Sequence, residues 1–145
     1  MKRYIIGSSV WFSEYEDYVV HDIDILFVCD IKKQVIFKEK GVDRIFLPKK
    51  TAKEYIEEIL NAGITKSSSL FCGKFLCPQF AKDFGVTIND LELLKPFIYA
   101  TDKGHQYQRI ILDSYIANSD FILTKEQRDR AYDIYRDARK DRYKK

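Results

Sequence analysis

The chain has 145 residues and a formal net charge of +3, long enough for one domain around a single core and too short for two full domains. Apolar residues make up 46% and aromatics 14%, which excludes a disordered chain, and a pI near 8.6 falls short of the strong excess that marks a nucleic-acid binder by composition. No apolar run approaches the roughly 20 residues of a membrane span, the basic start MKRYIIGSSVWFSEYEDY turns acidic too soon for a signal peptide, and three cysteines form no disulfide framework. A cytoplasmic protein with no membrane partner is expected.

In chain order, residues 1–48 read as β-structure. Tyr4-Ile5-Ile6 is a short apolar run ending at Gly7. His21 to Val28 alternates at first and then turns solidly apolar, the pattern of a central strand. Gln34 to Lys38 follows a turn at Asp30–Lys33 and is expected to form a hairpin with that strand. Lys40-Gly41 is a second turn, and Val42 to Leu47 is another strand, closed by Pro48.

Residues 49–145 read as helical, so the whole is expected to be one α/β (α+β) domain, a small mixed sheet with a helical C-terminal half. Thr51 to Glu54 has capping-box spacing, with Tyr55, Ile56, Ile59 and Leu60 at helical intervals and Gly63 as a stop. Ser67 to Phe75 suggests a further helix ending near Pro78, and Gln79 to Phe84 another short one before Gly85. Thr87 and Asp90 repeat the capping spacing, with Pro96 expected to break that helix. His105 to Asn118 carries a core stripe, and Thr124 with Gln127 opens a last helix running to the C-terminus. Cys72 and Cys77 form a C-x4-C pair, but a zinc site needs two more ligands and only Cys29, His21 and His105 remain, so buried thiols are the expectation.

The chemistry concentrates in the first half. An apolar strand ends in Gly7-Ser8-Ser9; Asp22-Ile23-Asp24 heads an apolar strand after a spacer of thirteen residues from Ser8; Asp43 heads a neighbouring strand. On a strand, residues i and i+2 share a face, so Asp22 and Asp24 present two carboxylates side by side. A third from the next strand completes a cluster that hard divalent cations favour and that repels itself without one. Gly7 lets backbone approach a phosphate, and if Val10-Trp11-Phe12 starts a helix, the N–H groups and hydroxyls of Ser8 and Ser9 face the same way.

These residues carry a resemblance. Ile5-Ile6-Gly7-Ser8, a spacer of thirteen residues, then Asp22-Ile23-Asp24-Ile25, resembles the signature of the nucleotidyltransferase superfamily, whose fold is that of the DNA polymerase beta palm; the family's third acidic strand matches Val42-Asp43-Arg44-Ile45. The resemblance covers about a third of the chain. It implies that Gly7 and Ser8, with Ser9 beside them, hold the phosphates of an NTP, ATP among them. It further implies that Asp22, Asp24 and Asp43 ligate Mg²⁺ or Mn²⁺ and that Asp43 serves as base toward an attacking hydroxyl. The implied reaction moves a nucleoside monophosphate from the NTP to a hydroxyl acceptor (nucleic acid, protein or small molecule) and releases pyrophosphate. The chain departs from the pattern in its acidic, aromatic spacer Ser9–His21, which lacks the Arg found after the Gly-Ser turn of minimal members, and in the short segment between Asp24 and Asp43, where Asp30 and Glu39 rival Asp43.

Plainer readings stand beside these. Asp22 and Asp24 could begin a strand at its solvent edge, Asp43 could form a surface ion pair with Arg44, His21 could face solvent, and Trp11 and Phe12 suit a core better than a base platform. The rival function is a catalytically silent member that binds nucleotide or a protein partner; a glycosyltransferase with an Asp-x-Asp metal site normally needs a larger chain. In the second half Lys74, Lys82, Lys95, Lys103 and Arg109 are candidates to meet phosphate. The last helix pairs an apolar stripe (Ala131, Ile134, Tyr135, Ala138) with an acidic ridge (Asp129, Asp133, Asp137, Asp141) offset by Arg136 and Lys140. Residues 124–145 hold nine basic and five acidic side chains and so carry the chain's whole positive excess. A solvated amphipathic helix is the expectation there, with contact to a polyanionic acceptor as its rival.

Overall fold

A computed structural model describes residues 2–20, 22–65 and 71–143, with Asp141–Tyr143 as backbone alone. The chain divides into two compact units, Met1–Thr51 and Ala52–Lys145, close to where the apolar pattern changes from alternating to helical. Together they make a mixed α/β architecture, a four-stranded sheet followed by helices.

The first unit is the sheet and one short helix. Strand β1 spans Lys2–Ile6, helix α1 Ser9–Phe12, β2 Ile23–Cys29, β3 Val35–Glu39 and β4 Val42–Pro48. The spatial order is β1-β2-β4-β3. β2 runs antiparallel to β1 and parallel to β4, and β4 runs antiparallel to β3. This corrects the expected β2–β3 hairpin: β4 lies between them. The reason lies in composition. β4 carries Ile45, Phe46 and Leu47 and profits from neighbours on both sides, whereas every residue of β3 is exposed, as suits an edge strand bearing Lys38 and Glu39. The chain therefore crosses from β2 to the outer edge and returns through the Lys40-Gly41 turn, where Gly41 takes the positive φ (+81°) that a tight hairpin demands.

Register and alternation sort the side chains. Tyr4, Ile6, Leu26, Val28 and Leu47 are buried on one face. Asp24 and Asp43 belong to that same face by the period of two, at the end where β1 finishes and β2 and β4 begin. The other face carries Phe27 stacked on Phe46 (centroids 4.8 Å apart), with Phe37 edge-on to Phe46.

The second unit is helical among its described residues. Helix α2 spans Ala52–Ala62 and buries Tyr55, Ile56 and Ile59, and Gly63 ends it at φ +76°. Of the helix expected over 67–75, residues 67–70 lie outside the described residues; Phe71 and Cys72 are helical and lead into a 3-10 turn at Gly73–Leu76. That segment ends at Leu76, near Pro78 as expected, and Pro78 itself occupies the first turn of helix α3, Pro78–Phe84, where its missing N–H costs nothing. Helix α4, Ile88–Tyr99, begins at the expected capping box, with Thr87 N donating to Asp90 Oδ2 (2.9 Å) and Asp90 N to Thr87 Oγ1 (3.1 Å). It then continues through Pro96, against expectation. Leu91 and Leu94 before the proline and Phe97 and Ile98 after it are all buried. Pro96 and Glu92, whose carbonyl loses its partner, face water, so packing outweighs one lost backbone bond.

Helix α5, Tyr107–Asn118, follows a 3-10 turn at Lys103–His105, and α6, Lys125–Tyr143, opens with Thr124 and Gln127 exchanging bonds of 3.0 and 3.2 Å. Ala131, Tyr132, Tyr135 and Ala138 of α6 are buried, and Tyr135 meets Tyr107 of α5 edge-on at 5.3 Å. The helix is thus part of this unit's core and not merely a solvated appendage. Cys72 and Cys77 are buried free thiols, as expected, and Cys29 is half-buried. Among the described residues, no helix is long and apolar enough to cross a membrane.

Candidate active site

Asp24 and Asp43 are direct register partners on the parallel strands β2 and β4, so their carboxylates project side by side from one face. Asp24 is half-buried, and its carboxyl is pushed up to about 6. Burial is the main cause, followed by the charge of Asp43, the charge of Asp22 and a side-chain hydrogen bond with Asp43. Lys38 acts in the opposite direction; it is the register partner of Asp43 on β3. Asp22 precedes β2 and is exposed. The structure brings Asp24 and Asp43 together, while Asp22 acts on Asp24 through its charge. Among the described residues, no three His, Cys, Asp or Glu side chains stand close enough to enclose an ion. His21 lies outside the described residues.

The Gly-Ser turn closes on the same place. Ile6, the last residue of β1, is paired with Asp24, and Gly7 follows at φ +86°, a left-handed conformation. A Cβ at Gly7 would stand 2.6 Å from Asp24 Oδ2. Glycine is therefore required twice, for its backbone angle and for the space that the carboxylate takes. Val10 N bonds Gly7 O at 3.1 Å, and Trp11 N and Phe12 N bond Ser8 O at 3.2 and 3.0 Å, which winds α1 directly out of the turn. Trp11 and Phe12 are buried, as a core role requires. Ser8 caps no backbone N–H with its side chain. Its hydroxyl instead meets Tyr18 Oη at 2.7 Å, and Ser9 Oγ meets the same phenol at 3.0 Å.

The rivals to Asp43 fall away on geometry. Arg44 points to the opposite face and pairs with Glu39 at 3.0 Å, so the alternative reading of Asp43 in a surface pair with Arg44 is not what forms, and Glu39 is engaged elsewhere. Asp30 lies exposed in the bend after β2. Two residues at this site escape the sequence reading. Lys38 was legible in principle, because a two-residue Lys40-Gly41 hairpin turn pairs it with Asp43. Tyr18 was not, since the turns that deliver it, Tyr15 N to Phe12 O and Tyr18 N to Tyr15 O (both 3.1 Å), have no periodic signature.

In the second unit several of the candidate cations have local partners. Lys74 is buried with its ammonium 3.9 Å from the Phe71 ring centre. Arg109 donates to the carbonyls of Tyr99 (2.5 Å) and Thr101 (3.3 Å), and Lys95 lies 3.8 Å from Asp113. Lys82 and Lys103 are exposed. His105 Nδ1 is 2.7 Å from Asp102 Oδ1, the structural role expected of it.

No protein-family model matches the chain, and no curated protein or solved structure matches it.

Proposed function

We propose that the first unit is the catalytic centre of a metal-dependent nucleotidyltransferase, moving a nucleoside monophosphate from an NTP to a hydroxyl acceptor. The observation that carries this reading is the convergence of Asp24 and Asp43 on one face with the Gly7 backbone packed against the Asp24 carboxylate. A structural pair of acids has no need to be half-buried against like charge, whereas a site that awaits a cation and a polyanion does.

Asp24 and Asp43 are the side chains to hold Mg²⁺ or Mn²⁺, with the Asp22 charge beside them; carboxylate oxygens are the donors such ions prefer. The ion, when bound, supplies charge neutralisation for the phosphates and acidifies the attacking hydroxyl. The chain's own groups do the rest. Gly7, whose Cβ position is taken by the Asp24 carboxylate, keeps the turn beside the pair that would hold the ion, and Ser8 and Ser9 donate hydroxyl protons to the phosphate oxygens. Asp43 accepts the proton of the acceptor hydroxyl as that oxygen bonds to the α-phosphorus. The bond from the α-phosphorus to the bridging oxygen of the β-phosphate breaks, and pyrophosphate leaves with the electron pair.

One observation favours a second reading, a silent nucleotide-binding or protein-interaction module. Lys38 already offsets the acidic pair from within the chain. Incubation with each labelled NTP, Mg²⁺ or Mn²⁺ and pooled acceptors (tRNA, oligonucleotides, protein) separates the two. Transfer of label with release of pyrophosphate, lost in Asp22→Ala/Asp24→Ala, is the expected result. Transfer that persists in the double variant overturns the mechanism, and NTP binding without transfer to any acceptor leaves the silent module.

A further inference from the structure

We propose that Tyr18 is the positioning residue of the phosphate-binding turn, its single phenol oxygen setting the hydroxyls of both Ser8 and Ser9 before a nucleotide arrives. The inference rests on the nucleotidyltransferase reading of that turn and adds to it a residue that lies outside the signature. Serine hydroxyls rotate freely, and a turn with two of them has many proton arrangements, few of which point both protons at an incoming phosphate. Here both oxygens lie within hydrogen-bond distance of one acceptor–donor, at 2.7 and 3.0 Å. The phenol is itself held. Its ring packs on fully buried Phe12 with centroids 6.5 Å apart, and the backbone is folded back by the two turns after α1.

The hydroxyl arithmetic gives the device a direction. Tyr18 Oη has one proton and two lone pairs. It can accept from both serines, or donate to one and accept from the other. A phosphate accepts only, so when it binds, the serine protons turn to it and the Tyr18 proton turns to a serine oxygen. The chain Tyr18 O–H to serine O–H to phosphate then runs in one sense and each bond polarises the next. With Tyr18 in place the serines are already ordered, and the loss of rotamer freedom on binding is smaller.

The test is a pair of double-mutant cycles on nucleotide affinity. Binding of the four ribonucleoside triphosphates with Mg²⁺ is measured by calorimetry for wild type, Tyr18→Phe, Ser8→Ala, Ser9→Ala and the combined variants, with thermal unfolding recorded for each. Phe keeps the ring against Phe12 and removes only the hydroxyl; if Tyr18→Phe does not fold, the cycle of Ser8→Ala, Ser9→Ala and their double variant carries the test, with losses that are not additive expected for serines coupled through Tyr18 and additive losses overturning the role. Tyr18→Phe is expected to weaken binding about 5- to 10-fold, the scale of one ordered hydrogen bond. In the Ser8→Ala/Ser9→Ala background the same change is expected to alter affinity by less than about 2-fold, which loss of packing alone would not produce. Undiminished affinity in Tyr18→Phe, or an equal loss with and without the serines, overturns the positioning role while the nucleotide reading stands. Failure of folded wild type to bind any of the four overturns the nucleotide reading and this inference with it.

Discussion

The two units handle charge in opposite ways. Along α6 opposite charges sit within a turn of each other: Lys125 with Asp129 (2.9 Å), Arg136 with Asp133 (2.9 Å) and Lys140 with Asp137 (3.3 Å). Before α5, the hydrogen bond from His105 holds Asp102 below the ordinary carboxylate range. At the end of the sheet the reverse holds: burial and the charges of Asp43 and Asp22 raise Asp24 to about 6. Compensated charge on a helix surface stabilises a little and asks for nothing further. Like charge pressed together in a half-buried place is a cost to folding, and it is where a ligand of opposite sign has most to offer.

The strongest way to break this contrast is to remove α6. Ending the chain after Leu123 strips Ala131, Tyr132, Tyr135 and Ala138 from a core that also holds Tyr107. Burial of each large side chain is worth roughly 1.5–3 kcal/mol. The helical unit is therefore expected to lose cooperative unfolding, with far-UV helical signal falling by more than the removed residues account for. A truncated chain that melts like the full one would show α6 to be dispensable.

Gly7→Ala comes next and strikes the sheet unit alone. The added methyl meets Asp24 Oδ2 at 2.6 Å in a backbone held at φ +86°. A destabilisation of about 1–3 kcal/mol is expected, read by chemical denaturation, along with loss of Mg²⁺–NTP binding. Retained binding at wild-type affinity would remove the turn from the site.

Asp24→Asn sharpens the comparison by relieving the repulsion. A carboxyl raised from 3.8 to about 6 on folding holds its proton more tightly in the native than in the unfolded chain. Its favourable contribution is complete below about pH 4 and lost as pH rises through about 6. In metal-free buffer the melting temperature of wild type minus that of Asp24→Asn should therefore fall between pH 4 and pH 6.5 and level off above. Divalent cation should stabilise wild type more at pH 7.5 than at pH 5, because the proton and the cation compete for one carboxyl, and should do little for the variant. A difference that is flat with pH would mean that Asp24 is not under strain. Lys38→Met should move the wild-type fall to higher pH, since among the described residues Lys38 is the group opposing the shift.

The smallest effect is expected on the helix. Arg136→Ala breaks an exposed pair with Asp133, worth about 0.3–0.5 kcal/mol, and its guanidinium also lies over the Tyr132 ring at 5.5 Å. A loss much larger than that would place Arg136 in a structural role that its exposure does not suggest.

Much of the local structure was legible because its causes are local. Thr87 and Asp90 close a capping box with atoms three residues apart, and Thr124 with Gln127 does the same. Gly63 and Gly85 end helices through their own positive φ. The acidic cluster was legible in part. Asp22 and Asp24 announce themselves by spacing, and Asp43 by heading an apolar strand. Pro96 misled because a proline's effect depends on which way it faces, and burial on both sides of it is a property of the whole unit.

By itself, the order of residues determined which segments extend, which coil, where they stop, and that carboxylates and a Gly-Ser turn lie near strand ends. Only the tertiary structure decided that β4 inserts between β2 and β3. That single placement puts Asp43 opposite Asp24 and so brings Lys38, the hairpin partner of Asp43, to the same pair of carboxylates. It also decided that the irregular spacer folds back on Phe12 to bring Tyr18 to both serines. The division follows from range. Hydrogen bonds and φ preferences act within a few residues and leave a periodic trace, whereas strand order and the return of a loop are set by which surfaces gain most from burial, a competition no local pattern records.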